Sequence, residues 1–393
     1  MKAIISRSAR LAVALAILTA SADAQEPVAS VPFRSPSNLI ILEGAIGESG
    51  PMTFLLDSGA GRTVLDAPVV DSLGLRVTGQ GRAVGASGAV PVRVVANVPV
   101  RLGGVELLLP TAVAFPFAEL EPALGMDADA VVGHELFMRY VVQIDYAAGT
   151  LRLFDPATFV APQAPWLPLT VRGNAAFVPV RIDVDGRTLE ARLRLDTGSG
   201  GAVTLTAPFV RAHGLASGTG LTSGASWGVG GRSREVNRVL ERLTLGELAL
   251  QAPTATLSQD TAGVLSGSEG DGLLGGEVLR RFTVTLDYGR GRMYLQPNAR
   301  LDEPFRRGLA GMGIFALPPD FRTFRLTHVD EGSPAAAAGL RADDVIEAVD
   351  GRPAGEMDLQ QLRDLFRLPG TSYTLTIRRG DERIEARIVL PTP

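Results

Sequence analysis

Leu189, Ala191, Leu193 and Leu195 alternate with Glu190, Arg192 and Arg194, a period of two that predicts a strand with one buried face. Short runs of this kind recur along the chain between Gly-containing turns such as Asp185-Gly186, predicting mainly β structure. Helical signals are brief. Asp66 and Thr206 suit helix N-caps, Pro68 and Pro208 fall in the first turns, and Gly74 and Gly214 suit the left-handed residue past the end.

The pattern is written twice. Phe54-Leu55-Leu56-Asp57-Ser58-Gly59-Ala60 and Leu193-Arg194-Leu195-Asp196-Thr197-Gly198-Ser199 are each an apolar strand ending in an acidic turn, followed by a second strand and one of the short helices. Further on, Val131-Val132-Gly133 corresponds to Leu273-Leu274-Gly275, and Ile144-Asp145-Tyr146 to Leu286-Asp287-Tyr288. Asp57 precedes Gly133 by 76 residues and Asp196 precedes Gly275 by 79. Four landmarks in one order at near-constant spacing identify a tandem duplication. The halves are expected at residues 30–155 and 168–298, separated near Pro156, Pro162, Pro165 and Pro168.

At the N-terminus, Lys2, Arg7 and Arg10 precede an apolar run over residues 11–20, and Ala22-Asp23-Ala24 precedes Gln25. This is the pattern of a secretory signal peptide over residues 1–24, so the expectation is an exported protein, periplasmic or extracellular. The run is too short to span a membrane, and no later segment is continuous enough.

Composition then narrows the chemistry. The 393 residues carry 38 Lys+Arg and 42 Asp+Glu, a net charge of −4, without the basic footprint of a nucleic-acid binder. No Cys is present, which excludes a thiolate nucleophile, a disulfide framework and Cys-based metal sites. The single lysine is Lys2, and the three histidines, His134, His213 and His328, form no HExxH motif. Neither metal nor cofactor is expected; carboxylates and hydroxyls remain.

One Asp-Ser-Gly is an ordinary turn. Two of them, each at a strand tip in equivalent halves, can meet if the halves pack about a pseudo-twofold axis. Asp57 and Asp196 would then share a proton, because like charges so close cannot both ionise. Such a pair can activate water against a carbonyl carbon and protonate the carbonyl oxygen.

The two turns, with the later apolar-apolar-Gly motifs, resemble those of bilobal aspartic proteases, most closely retropepsin-like bacterial members, over about residues 30–300. The resemblance implies two tandem β lobes, a polypeptide substrate and catalytic Asp57 and Asp196. It implies supporting roles for Ser58, Gly59, Thr197, Gly198 and Ser199: Ser58 and Thr197 bond across the lobes, and Gly59 and Gly198 let the carboxylates approach. It places substrate-covering flaps at residues 79–89 and 223–234, with Gly85, Ala86, Ser87, Gly88, Trp227 and Gly228 as substrate-binding candidates. The flap tyrosine of pepsin-type enzymes has no counterpart. Ser199 stands where the first half has Ala60, so an extra hydroxyl bond is expected to make Asp196 the more readily ionised partner.

From residue 305 onward the chain changes character. Glu331-Gly332-Ser333-Pro334 leads through a short helical turn to a strand ending at Asp350-Gly351, Asp358 caps a helix carrying Leu359, Leu362 and Phe366, and a hairpin closes the chain. Residues 305–393 resemble a bacterial PDZ domain of α+β type. Gly311-Met312-Gly313-Ile314 resembles its carboxylate-binding loop, which implies that Met312, Gly313 and Ile314 hold a peptide C-terminus while the peptide adds as a strand. Asp343 stands where that family has Gly, and Asp tolerates the left-handed backbone better than most residues.

Two other readings use the same residues. His134, Asp145 and Ser199 occur in the order of a serine-protease triad, although that triad would cut across the repeat. Alternatively the lobes are degenerate and the protein is a non-catalytic peptide-binding scaffold.

Overall fold

The computed structural model describes residues 25–392, so the expected signal peptide lies outside the described residues. The chain is mainly β, as the alternation predicts. In the first lobe the strand Met52–Leu56 runs parallel to Ala130–Val132, which pairs antiparallel with Val64–Asp66; the latter runs parallel to Val105–Phe115. The second lobe repeats this. Arg187–Leu195 runs parallel to Gly272–Leu274, which pairs antiparallel with Val203–Leu205, itself parallel to Thr254–Ser258.

The repetition extends to single hydrogen bonds. The Asp57 N–H donates to the Val132 carbonyl at 2.9 Å, and that of Asp196 to Leu274 at 3.0 Å. Thr53 N–H donates to Asp129 Oδ2 and Arg192 N–H to Asp271 Oδ2, both at 2.7 Å. The helices Ala67–Ser72 and Ala207–His213 follow at the same point in each lobe. Gly74 (φ 61°) and Gly214 (φ 66°) take the left-handed conformation, allowing Leu75 and Leu215 to bond back to Val70 and Val210 at 3.0 Å. Asp66 and Thr206 occupy the N-cap positions without capping through their side chains. Asp66 Oδ1 instead accepts from Phe117 N–H, and Thr206 Oγ1 donates to the Asp271 carbonyl.

A shared sheet joins the lobes. The strands ending in Asp-Tyr, Val141–Asp145 and Phe282–Asp287, pair antiparallel, flanked by Thr150–Phe154 on one side and Arg292–Pro297 on the other. Their register sets Gln143 opposite Thr285, each two residues before its lobe's Asp-Tyr, and Gln143 Nε2 donates to Thr285 Oγ1 at 3.2 Å. The copies therefore meet at equivalent positions. One buried cluster runs through both lobes, from Phe54 and Leu56 through Ile144 and Val284 to Leu193 and Leu274.

The C-terminal domain has a separate core that includes Ile314, Phe324, Ile346, Leu362 and Ile377. Its sheet is ordered Met312–Leu317, Thr323–Val329, Val345–Val349, Ser372–Arg379, Glu382–Val389. The helix Leu359–Leu365 opens with a capping box, Gln361 N–H to Asp358 Oδ1 at 2.8 Å and Asp358 N–H to Gln361 Oε1 at 2.9 Å. Asp343 adopts φ 69°.

Candidate active site

Each acidic turn leaves the end of a buried strand, and the two turns face each other across the lobes. Ser58 N–H donates to Thr197 Oγ1 at 2.9 Å, and Thr197 N–H donates to Ser58 Oγ at 3.1 Å. Thr197 Oγ1 passes its own proton to the Leu56 carbonyl at 2.9 Å. Both hydroxyl residues are buried, so these reciprocal bonds fix the distance between the turns. Hydrogen is the largest group that fits at the two glycines. A Cβ on Gly59 would stand 2.7 Å from Asp196 Oδ1, and one on Gly198 would stand 2.6 Å from Asp57 Oδ2.

The two carboxyls converge: that of Asp196 lies against Gly59 and that of Asp57 against Gly198. Burial raises both above the usual aspartate range, and Asp196 rises further because the charge of Asp57 lies beside it. Gly59 N–H, 2.7 Å from Asp57 Oδ1, pulls Asp57 back down, and the Arg194 guanidinium lowers both acids. The pair therefore titrates as a unit that holds a proton between its two acids. The Ser199 hydroxyl makes no hydrogen bond; Ser199 contributes its backbone, with its N–H on the Asp196 carbonyl and its carbonyl accepting from Gly276.

Two hairpins carry the flap candidates. Val77–Val84 and Ala89–Leu102 enclose the tip Gly85, Ala86, Ser87 and Gly88; Thr222–Gly228 and Gly231–Val239 form the second hairpin. The tips meet. Ser87 Oγ donates to the Gly231 carbonyl at 3.1 Å, and a Cβ on Gly88 would stand 3.1 Å from the Gly230 carbonyl. Val264 and Leu265 N–H groups donate to Gly85 and Ala86 from a third segment.

Trp227 departs from its expected role on the substrate. Its ring packs edge-on against Phe315, 5.0 Å between centroids, and stacks on His328 at 5.7 Å, with Arg232 over its face at 5.4 Å. Both aromatic partners belong to the C-terminal domain, so Trp227 ties the second hairpin to it, while the neighbouring Gly228 faces Ala86 of the first hairpin. A cavity of about 800 Å³ lies between residues 221–227 and 308–315; neither aspartate lines it.

Glu235 of this hairpin, facing Ser226, Asp260 and Asp330, is raised to about 7, mainly by burial. A carboxyl raised on folding contributes stability below its unfolded pKa that is lost as pH rises through the folded value. The hairpin is thus expected to loosen from the C-terminal domain as pH passes 7. Trp227 fluorescence in a Trp166→Phe background should shift to the red over that window, and Glu235→Gln should abolish the shift.

Met312, Gly313 and Ile314 begin the edge strand Met312–Leu317, after Gly311 at φ 65°. The Ile314 carbonyl is already engaged: Arg363 Nη2 donates to it at 2.7 Å, while Arg363 Nη1 donates to the Ala123 carbonyl of the first lobe at 3.2 Å. Burial lowers Arg363 to about 10, still cationic near neutrality. The first lobe thereby abuts the strand edge that a peptide would extend.

The triad reading finds no bonds among its members. Asp145 accepts from Ala148 N–H and Arg152, and the buried His134 Nδ1 has no partner. Among the described residues no three His, Asp or Glu side chains group as metal ligands, and no helix is long and apolar enough to cross a membrane. Sequence reasoning missed three cross-lobe side chains: Arg194, whose Nη2 donates to the Gly59 carbonyl; Asn38, whose Nδ2 donates to the Gly200 carbonyl at 2.8 Å; and Asn174, packed against Gly61.

Residues 42–133 match the family model described as aspartyl protease, and residues 325–379 match the PDZ domain model. The chain thus carries an aspartyl-protease-like domain and a PDZ domain. No curated protein matches. Among solved structures, the photosystem II D1 C-terminal processing protease is similar at 23% identity over 21% of this chain and 24% of that one, with a TM-score of 0.19. An aminopeptidase N family protein from Idiomarina loihiensis is similar at 25% identity over 23% and 15%, with a TM-score of 0.20. The chain spans less than a quarter of the length of either.

Proposed function

We propose that the protein is an aspartic endopeptidase whose Asp57 and Asp196 act as one proton-sharing pair. The observation that carries this reading is that each carboxyl lies against the glycine of the other's turn, with Ser58 and Thr197 bonded reciprocally between the turns. The ionised member of the pair takes a proton from a water whose oxygen attacks the peptide carbonyl carbon; the protonated member gives its proton to the carbonyl oxygen. As the tetrahedral species collapses, the proton taken from water passes to the departing amine and the second acid regains its own. The interlocked hairpin tips must part to admit a polypeptide. The PDZ domain is read as a peptide-binding module for the C-terminus of a substrate or partner, and the N-terminal pattern as an export signal to the periplasm or beyond.

Incubation of the mature protein with a mixed peptide library between acid and neutral pH is expected to yield internal cleavages, absent from the Asp196→Asn variant. The interlocked tips favour one second reading, a peptide-binding protein that does not hydrolyse. Capture of library peptides without cleavage at any pH would decide for it. Activity lost in Ser199→Ala but kept in Asp196→Asn would overturn both.

A further inference from the structure

Beneath the acidic turns one cation crosses from lobe to lobe. Arg194 stands two residues before Asp196 on Arg187–Leu195, so both side chains leave the same face of the strand. Its Nη2 donates to the Gly59 carbonyl of the first lobe. Gly59 in turn donates its N–H to Asp57 Oδ1 at 2.7 Å and lies against the Asp196 carboxyl. The guanidinium is thus anchored on the residue that touches both acids.

The other half has no counterpart. Two residues before Asp57 stands Leu55, buried and apolar. The cross-lobe bond in the opposite direction, from Asn38 to Gly200, is uncharged.

We infer that Arg194 is a positioning residue for the pair as a unit, its guanidinium, anchored on Gly59, favouring the state in which the two acids carry one negative charge and share one proton. This deepens the proposed function and rests on it. The other groups around the pair supply no standing cation. Burial and the repulsion of Arg194 lower His134 against the pull of Glu135, favouring neutral imidazole; Glu135 itself accepts from Thr63 N–H and Oγ1. Burial raises the Tyr288 hydroxyl, which stays protonated. Arg194 Nε, His134 Nδ1 and Tyr288 Oη are buried without partners, so their surroundings do not screen the guanidinium strongly.

The test is a carbon-13 NMR titration of the aspartate carboxyls in wild type, Arg194→Leu (the residue of the other half), Arg194→Gln and Arg194→Lys, each first shown to be folded by thermal melting. In Leu and Gln variants the first of the pair's two ionisations should rise by about one pH unit, a roughly tenfold weaker acid, with Lys near wild type. The acid limb of kcat/KM should move the same way. A first step within about 0.2 unit of wild type in Arg194→Gln, or an equal shift in Arg194→Lys, overturns the inference. If Arg194→Leu does not fold, the Gln and Lys variants decide. The titration reads the carboxyls whether or not any peptide is cut. An inactive wild type with an Arg194-dependent step removes only the functional reading, and an active enzyme without the shift removes only this one.

Discussion

Asp57→Asn and Asp196→Asn are each expected to lower kcat/KM for peptide hydrolysis by about ten-thousand-fold, and the double variant should be little worse than either. Ser199→Ala, which removes a hydroxyl without partners, should stay near wild type. The same variants carry a stability signature. Burial lifts both carboxyls above 3.8 in the folded protein, so their contribution is fullest below that pH and falls as pH rises through the folded values. Asp196→Asn has no such loss. The Tm of the variant minus that of wild type should therefore grow from pH 4 to pH 7. A difference that is flat across this range would show that the two acids do not share a buried site.

The second large effect is steric. Gly198→Ala would bring a methyl to 2.6 Å from Asp57 Oδ2, with Ser58 and Thr197 locked on either side by reciprocal bonds. Overpacking of this kind costs about 1–3 kcal/mol, and displacing a reacting group by about 1 Å costs on the order of a hundredfold in rate. Gly198→Ala is thus expected to melt earlier and to lose at least that much kcat/KM. Gly201→Ala is the control: a Cβ there meets nothing within 4 Å. A fully active Gly198→Ala would mean that the turns stand further apart during catalysis than in the structure.

The β architecture and the acidic turns were legible because they depend on local pattern. Period-two strands, left-handed Gly74 and Gly214 and the capped helix at Asp358 are each specified by residues a few positions apart. The repeat did the rest, since two copies of one motif constrain each other. What escaped depends on the other face of the same strand. Arg192 and Arg194 read as solvated positions in the alternation, yet Arg192 reaches the Glu269 carbonyl and Arg194 the other lobe. An arginine tail is long enough to leave its own sheet, and its destination is set by tertiary packing. Trp227 was misplaced for a related reason. Its position in a hairpin was readable, but which neighbour covers the hairpin's outer side depends on the docking of the C-terminal domain, to which no local signal points. Ser199 differs: its hydroxyl was assigned a partner from its place in the motif, whereas the bonds it makes among the described residues are those of its backbone.

Ser58 and Thr197 lie 139 positions apart, and every bond that brings the acids together joins the two copies. During synthesis the first half is complete well before the second exists, and a polypeptide emerging from a ribosome or threading a pore has only half the machinery. Under the proposed function, hydrolytic competence arrives as a late folding event, after the joining sheet has closed.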